Sequence, residues 1–250
     1  MYDLLLGIVQ GITEFLPISS SGHLILINSF FQDANIDISM LTLLHLGTLG
    51  SILFYYRSEV SIILFHPLKE RAMLGKILIG VLPAGLIGLF TNLSKIISNS
   101  VNILLYTGAA YIVLSIALYL SKNITEGEKG ILQITSVDAF YIGIAQATAL
   151  IPGISRAGVT LIAALLIGMK KKDALLFSFL LGIPTIGGAW ILSLINHGAN
   201  YKFISIIATL LAFFFGLLAI KILVKFTLES DLHKFSFYTL VLGFLLIYIN

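Results

Sequence analysis

Long apolar segments, each about the length of a membrane crossing, follow one another through almost the whole chain. Apolar residues make up 58% of the 250 residues, and charged residues make up only 11%. A soluble domain carries charge on about a quarter of its residues, so the composition excludes a soluble protein. Because a helix needs about 20 apolar residues to cross a bilayer, the chain predicts a single all-α integral membrane domain over residues 1–250, a helical bundle.

Six apolar segments are long enough to cross a bilayer, and we predict spanning helices at 38–56, 74–90, 101–120, 174–195, 203–223 and 235–249. Two further apolar stretches, 2–31 and 139–169, are each interrupted by proline, serine and glycine. Proline, serine and glycine at its centre weaken a helix. Non-helical backbone inside a membrane is tolerated only where protein surrounds it or where it lines a cavity. Each stretch therefore predicts a re-entrant helix-turn-helix pair. Residues 33–37 and 57–71 are predicted loops, the first acidic and the second polar.

The two interruptions are similar to each other in sequence. A shift of 136 positions superposes Gln10 on Gln146, Ser19 on Ser155 and Gly22 on Gly158. Each half of the chain, approximately 1–120 and 136–250, contains one interrupted pair followed by three predicted spans. Because three crossings reverse the direction of the chain, we predict two repeats of inverted topology, whose interrupted helices meet near the middle of the membrane.

The distribution of basic residues favours this layout. If the loop at 57–76 is cytoplasmic and each re-entrant pair returns to its own side, twelve of the fifteen Lys and Arg residues lie in cytoplasmic segments. The outer segments then keep only Lys95 and Lys202, and Arg156 lies inside the second interruption. This agrees with the excess of Lys and Arg that cytoplasmic loops carry.

Composition also excludes several kinds of chemistry. The chain has no cysteine, which rules out disulfides, thiolate metal sites and cysteine nucleophiles. Its net charge of +3 is small and spread among the loops, so no nucleic-acid partner is expected. The bilayer is the expected surrounding of the protein.

The second interruption has the composition of an anion-binding site. A guanidinium inside the membrane is costly, so Arg156 is expected to face a partner, a cavity or an anionic ligand. Gly153 allows close approach, Ser155 and Thr160 offer hydroxyl groups, and the helix that follows begins with unpaired backbone N–H groups. Phosphate is the ligand that best suits this set, because arginine binds it with a two-pronged fork. The alternative is that Arg156 only forms a structural ion pair with Glu14.

The first interruption has the composition of a catalytic site. Glu14, Ser20 and His23 bring a carboxylate, a hydroxyl and an imidazole within ten residues. A hydroxyl beside a base can act as a nucleophile, and an imidazole moves protons near neutral pH. Opposite a phosphate cradle, this set suggests phosphoryl transfer. Gln10 lies one helical turn before Glu14 and can reach the same ligand, and Ser19 is a further candidate contact.

Structural roles for some of these residues remain open at this level. For the serines of the first interruption, Ser19 included, the alternative is a purely structural role as caps of the helix that follows. Gln10 is equally compatible with polar packing. A core position is the alternative for His23, but its place beside Glu14 and the interruption favours a functional role. For His45, which lies inside the predicted span 38–56, a hydrogen bond to a carbonyl is the first expectation and a place at the site the second.

The interruptions resemble the two motifs of the undecaprenyl-diphosphate phosphatase, or bacitracin-resistance, family. The family's glutamate-rich motif is similar to Gln10-x3-Glu14 with Pro17-x-Ser19-Ser20-Ser21-Gly22-His23, and its phosphate-binding motif is similar to Pro152-Gly153-x-Ser155-Arg156-x-Gly158-x-Thr160. The resemblance implies removal of the terminal phosphate from a polyprenyl diphosphate, which regenerates the monophosphate carrier lipid for cell-envelope glycan synthesis. It also implies a multi-pass protein of the plasma membrane whose active site opens to the outer face.

The resemblance assigns a role to each matching residue. Ser20 matches the proposed nucleophile, His23 the proposed acid/base, and Glu14 the essential acidic residue that serves a metal ion or a proton. Arg156 and Ser155 match the contacts to the diphosphate.

The resemblance also implies a divalent cation, Mg²⁺ or Ca²⁺, with Glu14 as its ligand. Gln10 stands where many members have Glu, which weakens a two-carboxylate metal site. Ala157 stands where many have Ser, so one hydroxyl contact is missing. A homodimer is compatible with the sequence.

A second class of function competes with the enzyme. Inverted repeats with interrupted helices commonly serve alternating access, so a polyprenyl-phosphate flippase or a small-anion transporter is the alternative. Such a protein explains Arg156 equally well, but it explains the combination of Glu14, Ser20 and His23 less well.

Overall fold

The structure is a computed structural model, which describes residues 2–30, 38–65, 71–91, 97, 100–198 and 203–250. Within these ranges the chain is helical, as predicted, and the strand-type pairing is a single bridge between Lys129 and Met169. The helices are α1 (Tyr2–Phe15), α2 (Ser20–Phe30), α3 (Ile38–Tyr55), α4 (Arg57–Phe65), α5 (Arg71–Phe90), α6 (Ile103–Leu120), α7 (Ser136–Thr148), α8 (Arg156–Leu166), α9 (Lys171–His197), α10 (Phe203–Leu228) and α11 (Phe235–Tyr248).

The length and composition of these helices confirm a membrane protein. Four stretches are long and apolar enough to cross a bilayer, namely Ala72–Phe90, Ile103–Asn123, Lys171–Asn196 and Phe203–Leu228. Met40–Tyr55 and Leu232–Tyr248 are apolar but shorter. The four long stretches lie at predicted spans, and the two shorter ones lie at the other two, whose crossing of the bilayer stays a prediction. The two interrupted stretches form the short pairs α1–α2 and α7–α8, as expected from their central breaks.

The prediction of a polar loop at 57–71 is wrong for its first nine residues, which form α4. Val60 and Ile63 lie one turn apart on this helix and pack against the main core, where Ile63 is only 8% exposed. The burial of this apolar edge stabilises a helix whose serine and glutamate residues suggested a loop. The predicted acidic loop at 33–37 lies outside the described residues.

The α7–α8 pair begins and ends at the same end of the bundle. The backbone N–H of Lys129, before α7, donates to the carbonyl of Gly168, after α8, at 2.9 Å. The N–H of Lys170 donates back to the carbonyl of Lys129 at 3.0 Å. These bonds join the chain segments that enter and leave the pair, so the pair turns back on itself.

Other basic segments gather at this same end. Lys76, near the start of α5, donates through Nζ to the carbonyl of Leu132 at 3.2 Å. Lys171, at the start of α9, donates through Nζ to the carbonyl of Leu228, the last residue of α10, at 3.2 Å. Segments that the charge count assigned to one side of the membrane are therefore neighbours in the structure.

Close backbone contacts at glycines hold the interrupted helices against the long ones. Gly7 on α1 lies so near the carbonyl of Ala208 on α10 that an added Cβ would overlap it. Gly143 on α7 makes the equivalent contact with the carbonyl of Gly80 on α5. Small residues allow helix backbones to approach in this way in membrane proteins. The shift of 136 that relates the two interruptions also relates these two glycines.

Candidate active site

The two interruptions lie in contact with each other. The hydroxyl of Ser155 donates to the carbonyl of Leu16 at 3.3 Å, and Gly158 packs against Pro17. The helices that follow, α2 and α8, therefore begin side by side. Their first turns border a polar cavity of about 300 Å³, which is at the small end of the range for ligand sites. The polar part of its lining includes Glu14, Ser19, Ser20, His45, Gln146, Ser155 and Arg156.

Glu14 is the centre of the polar contacts at this cavity. Its Oε1 pairs with Nη2 of Arg156 at 3.2 Å, and its Oε2 accepts from the Ser20 hydroxyl at 2.8 Å and from Nε2 of Gln10 at 2.9 Å. The side chains of Glu14 and Arg156 are only 8% and 12% exposed. The ion pair that was left open as an alternative does form. The Glu14 carboxylate of this pair also accepts from the Ser20 hydroxyl, and the pair borders the cavity. An ion pair with only a structural role would need neither feature.

His45 also faces Glu14, although a structural role was the first expectation for it. Its Nδ1 lies 2.8 Å from the carbonyl of Leu41 on the same helix. A carbonyl only accepts, so Nδ1 carries the proton. Nε2 is then directed at the cavity, where it lies 3.7 Å from Oε2 of Glu14. His45 therefore forms the expected hydrogen bond to a carbonyl and also lies at the site.

The first break is fixed by contacts on the side away from the cavity. Ser19 has a φ of +62°, and its carbonyl accepts from the hydroxyl of Tyr111 at 3.1 Å and from Nδ1 of His23 at 2.8 Å. Nε2 of His23 lies 2.6 Å from the hydroxyl of Tyr238, so both ring nitrogens have partners. His23 is not part of the cavity lining. The imidazole thus holds the backbone turn that presents Ser20 to Glu14.

The second interruption lines the cavity through Ser155 and Arg156, and its other contacts support Arg156. Ser155 caps α8, since its hydroxyl accepts from the N–H of Gly158 at 3.2 Å. Thr160 donates to the carbonyl of Arg156 at 2.8 Å and shares a 2.6 Å hydrogen bond with Ser178 on α9. Gly153 has a φ of +99°, and a Cβ there would lie 2.5 Å from the carbonyl of Thr107. This conformation and contact require glycine.

The structure thus gathers Gln10, Glu14, Ser19, Ser20, Ser155 and Arg156 around one cavity or its central carboxylate. It holds His23, Gly153 and Thr160 in contacts behind it, and the chemical role of each residue stays a prediction. Gln146 also lines the cavity, although it was not among the predicted site residues. The likeness between Gln146 and Gln10 was the signal that pointed to it.

Arg156 has room at the cavity because residue 182 on α9 is a glycine. A Cβ on Gly182 would overlap Nη1 of Arg156 and lie 3.0 Å from its Cζ. We expect Gly182→Ala to displace the guanidinium from Glu14 and to lower kcat/KM by about 10- to 100-fold, because a misplacement of about 1 Å at a binding group can cost that much. The measurement is steady-state release of phosphate by purified protein.

Gly188→Ala is the matched control for this change. Gly188 lies on the same helix, and a Cβ there meets no atom within 4 Å. The two variants should have similar melting temperatures, and Gly188→Ala should keep wild-type activity. Equal activity in both variants would contradict the placement of Arg156 by Gly182.

A second, apolar cavity adjoins the polar one. It has a volume of about 720 Å³ and is lined mainly by α6 and by residues at the ends of α7 and α8. Ile154 lines both cavities. The two cavities therefore meet at this residue.

Apolar helices thus surround a small site with a carboxylate from the last turn of α1 and with a hydroxyl and a guanidinium at the N-termini of α2 and α8. These features define an integral membrane protein that handles a phosphate-type anion. The sequence model of the family described as "Bacitracin resistance protein BacA" matches residues 3–245, and the chain belongs to this family.

Curated relatives agree with this assignment. The chain is 41% identical over 245 residues to a protein of Thermosipho melanesiensis named undecaprenyl-diphosphatase, with 96% of each chain covered. It is 36% identical over 254 residues to a protein of the same name from Rhodopirellula baltica, with 98% of this chain and 96% of the relative covered. A relative of that name from Methanococcus vannielii is 33% identical over 252 residues, with 99% of each chain covered.

Proposed function

We propose that this protein is a membrane phosphatase that hydrolyses a polyprenyl diphosphate of the undecaprenyl type to the monophosphate and inorganic phosphate. Membership of the family and the name undecaprenyl-diphosphatase, shared by relatives that align over nearly the whole chain, support this activity. The product monophosphate is the form of carrier lipid that cell-envelope glycan synthesis consumes.

The observation that carries the mechanism is the 2.8 Å hydrogen bond from the Ser20 hydroxyl to Oε2 of Glu14. Ser20 Oγ attacks the terminal phosphorus while Glu14 accepts its proton. The bond from that phosphorus to the bridging oxygen breaks, and the polyprenyl monophosphate leaves. Water then attacks the phosphoserine, which restores Ser20 and releases inorganic phosphate. An alternative that stays open is direct attack by a water molecule activated at Glu14.

Charge neutralisation supplies the rest of the catalysis in this proposal. Arg156 turns from Glu14 toward the phosphoryl oxygens, where its fork binds two of them. The backbone N–H groups at the start of α2 and α8 provide further donors and the positive ends of two helix dipoles. His23 contributes as a positioning residue through Ser19, and its predicted acid/base role has no support from its contacts.

A divalent cation, Mg²⁺ or Ca²⁺, fits this site as a partner of the bound diphosphate. The described residues contain no group of three or more His, Asp or Glu side chains that could hold a metal ion alone. However, Nε2 of Gln10 donates to Glu14, and Oε1 of the same amide is buried with no hydrogen-bond partner among the described residues. Mg²⁺ is often held by one or two such oxygen ligands together with substrate phosphates. Gln10 and Glu14 are the proposed ligands, and the ion would neutralise phosphate charge.

The apolar cavity supports a lipid substrate. A diphosphate head in the polar cavity can leave its isoprenoid tail in the adjoining 720 Å³ space and in the surrounding lipid. The homodimer that is compatible with the sequence stays a prediction.

A phosphate-release assay in detergent micelles tests the activity against the alternative of a flippase. A micelle has no second leaflet, so lipid transfer cannot account for released phosphate. We expect the purified protein to release one inorganic phosphate for each polyprenyl diphosphate consumed. A Glu14→Gln preparation provides the background from co-purified phosphatases. Release no greater than this background, together with lipid transfer between leaflets of vesicles, would favour the flippase.

The proposal includes an inverted-repeat layout with six spans, two re-entrant pairs and a site open to the outer face of the plasma membrane. The contacts among the basic segments at one end of the bundle support it, because these segments are predicted to be cytoplasmic. The cysteine-free sequence allows a direct test with single cysteines. In intact cells, a membrane-impermeant maleimide should label Lys202→Cys and leave Lys122→Cys unlabelled, and the reverse pattern would contradict the layout.

A further inference from the structure

Gln146 is a buried amide in the polar cavity with no partner for either of its polar atoms. It lies in the last turn of α7, is 2% exposed, and lines the cavity together with Arg156 and Glu14. Neither Oε1 nor Nε2 has a hydrogen-bond partner within the described parts of the chain. Buried side-chain amides in native proteins are almost always bonded, so this amide is prepared for a group that the polypeptide does not provide.

Comparison with Gln10 shows why Gln146 is left without a partner. The two residues correspond under the shift of 136 that relates the interruptions, and both are buried. Gln10 donates to Glu14, one turn later on its helix. The residue one turn after Gln146 is Leu150, which has no carboxylate. The first glutamine therefore serves the central carboxylate, whereas the second presents its amide to the cavity.

The chemistry of the cavity indicates which ligand this amide binds. The guanidinium of Arg156 and the first turns of α2 and α8 favour an anion. An amide adds a neutral N–H donor, which binds an anion without a further charge. Its carbonyl oxygen can accept a hydrogen bond from water or from a protonated phosphate oxygen.

We propose that Gln146 is a substrate-binding residue that holds the terminal phosphoryl group. Nε2 donates to a non-bridging oxygen of that group, and Oε1 accepts from the water that hydrolyses the phosphoserine. This role rests on the proposed phosphatase activity. It also divides the paired glutamines into one that orients Glu14 and one that orients the phosphoryl group.

The test compares Gln146→Leu and Gln146→Glu with the wild type for kcat, KM and inhibition by inorganic phosphate. Gln146→Leu removes the polar atoms but keeps a similar volume. We expect kcat/KM to fall about 10- to 100-fold, since a lost hydrogen bond at a buried polar site costs in this range or more. Inhibition by inorganic phosphate should weaken, and the melting temperature should stay equal or rise. Gln146→Glu keeps the shape but places an oxygen against the phosphate, so its KM should rise further.

Thr107→Val is the matched control. The hydroxyl of Thr107 is also buried without a partner in the described residues, but Thr107 does not line the polar cavity. This variant should keep wild-type kinetics. Wild-type kcat/KM in Gln146→Leu, or a loss of activity that only follows a lower melting temperature in both Gln146 variants, would overturn the assignment. An inactive wild type would instead refute the phosphatase activity itself.

Discussion

Glu14→Gln is expected to lower kcat/KM for polyprenyl diphosphate by about 1,000-fold. The amide cannot take the proton that Ser20 now directs at Oε2 over 2.8 Å, and general-base catalysis is typically worth about 100- to 10,000-fold. The substitution keeps the size of the side chain, so it leaves the cavity shape intact. Steady-state phosphate release by the purified variant measures the effect.

The same substitution leaves Arg156 without its counter-ion. Because breaking a buried pair costs about 3–5 kcal/mol and this pair borders a cavity, we expect a smaller loss of stability, about 1–3 kcal/mol. The double variant Glu14→Gln with Arg156→Gln removes the isolated charge. It should regain stability without regaining activity. If the pair served structure alone, stability and activity would return together.

Glu128→Gln is the matched control for the carboxylate. Glu128 lies in the exposed segment before α7, far along the chain from either interruption. The variant should keep both its activity and its melting temperature. Phosphate release by Glu14→Gln within a few-fold of this control would contradict the role of Glu14 as the base.

Ser20→Ala is expected to reduce phosphate release by at least about 1,000-fold, because removal of a nucleophile disables the chemical step. Ser20 begins α2, and its hydroxyl is bonded to Glu14, so the loss should appear in kcat rather than KM. With substrate labelled in the terminal phosphate, rapid acid quenching should trap label on the wild-type protein and none on the variant.

Ser29→Ala provides the comparison on the same helix. Ser29 lies at the opposite end of α2 from Ser20 and donates to the carbonyl of Leu26, so its loss should leave phosphate release unchanged. Should Ser20→Ala retain release within about tenfold of Ser29→Ala, water would be the attacking group. Glu14 would then act on that water, and the substrate-binding role of Arg156 would be unaffected.

Local chemistry accounts for the parts of the fold that were predicted well. The helix bounds followed from apolar length and from the residues that interrupt it, because the cost of exposing backbone to lipid depends on local sequence. The segment 57–65 escaped prediction because α4 is stabilised by the burial of Ile63 against distant parts of the chain. No local pattern contains that information.

The places of the two histidines at the site also could not be predicted from local sequence. His23 lies within the motif and His45 lies outside it, yet His45 lines the cavity while His23 bonds to Tyr238. Which face of a helix meets a cavity depends on the neighbouring helices, and the residues next to each histidine in the sequence do not specify these neighbours. The assignment of His23 therefore required the positions of α6 and α11, and that of His45 required the position of α1.

The sequence alone determined that this chain is a helical membrane protein with two related polar interruptions, and that one carries Arg156 and the other Glu14 and Ser20. Scarcity of charge and the cost of polar groups in lipid suffice for those conclusions. Only the tertiary structure decided which polar groups share one cavity. Contacts between residues more than 100 positions apart depend on how the helices pack. This packing brings Arg156 to Glu14 and leaves Gln146 at the cavity with no partner among the residues that the structure describes.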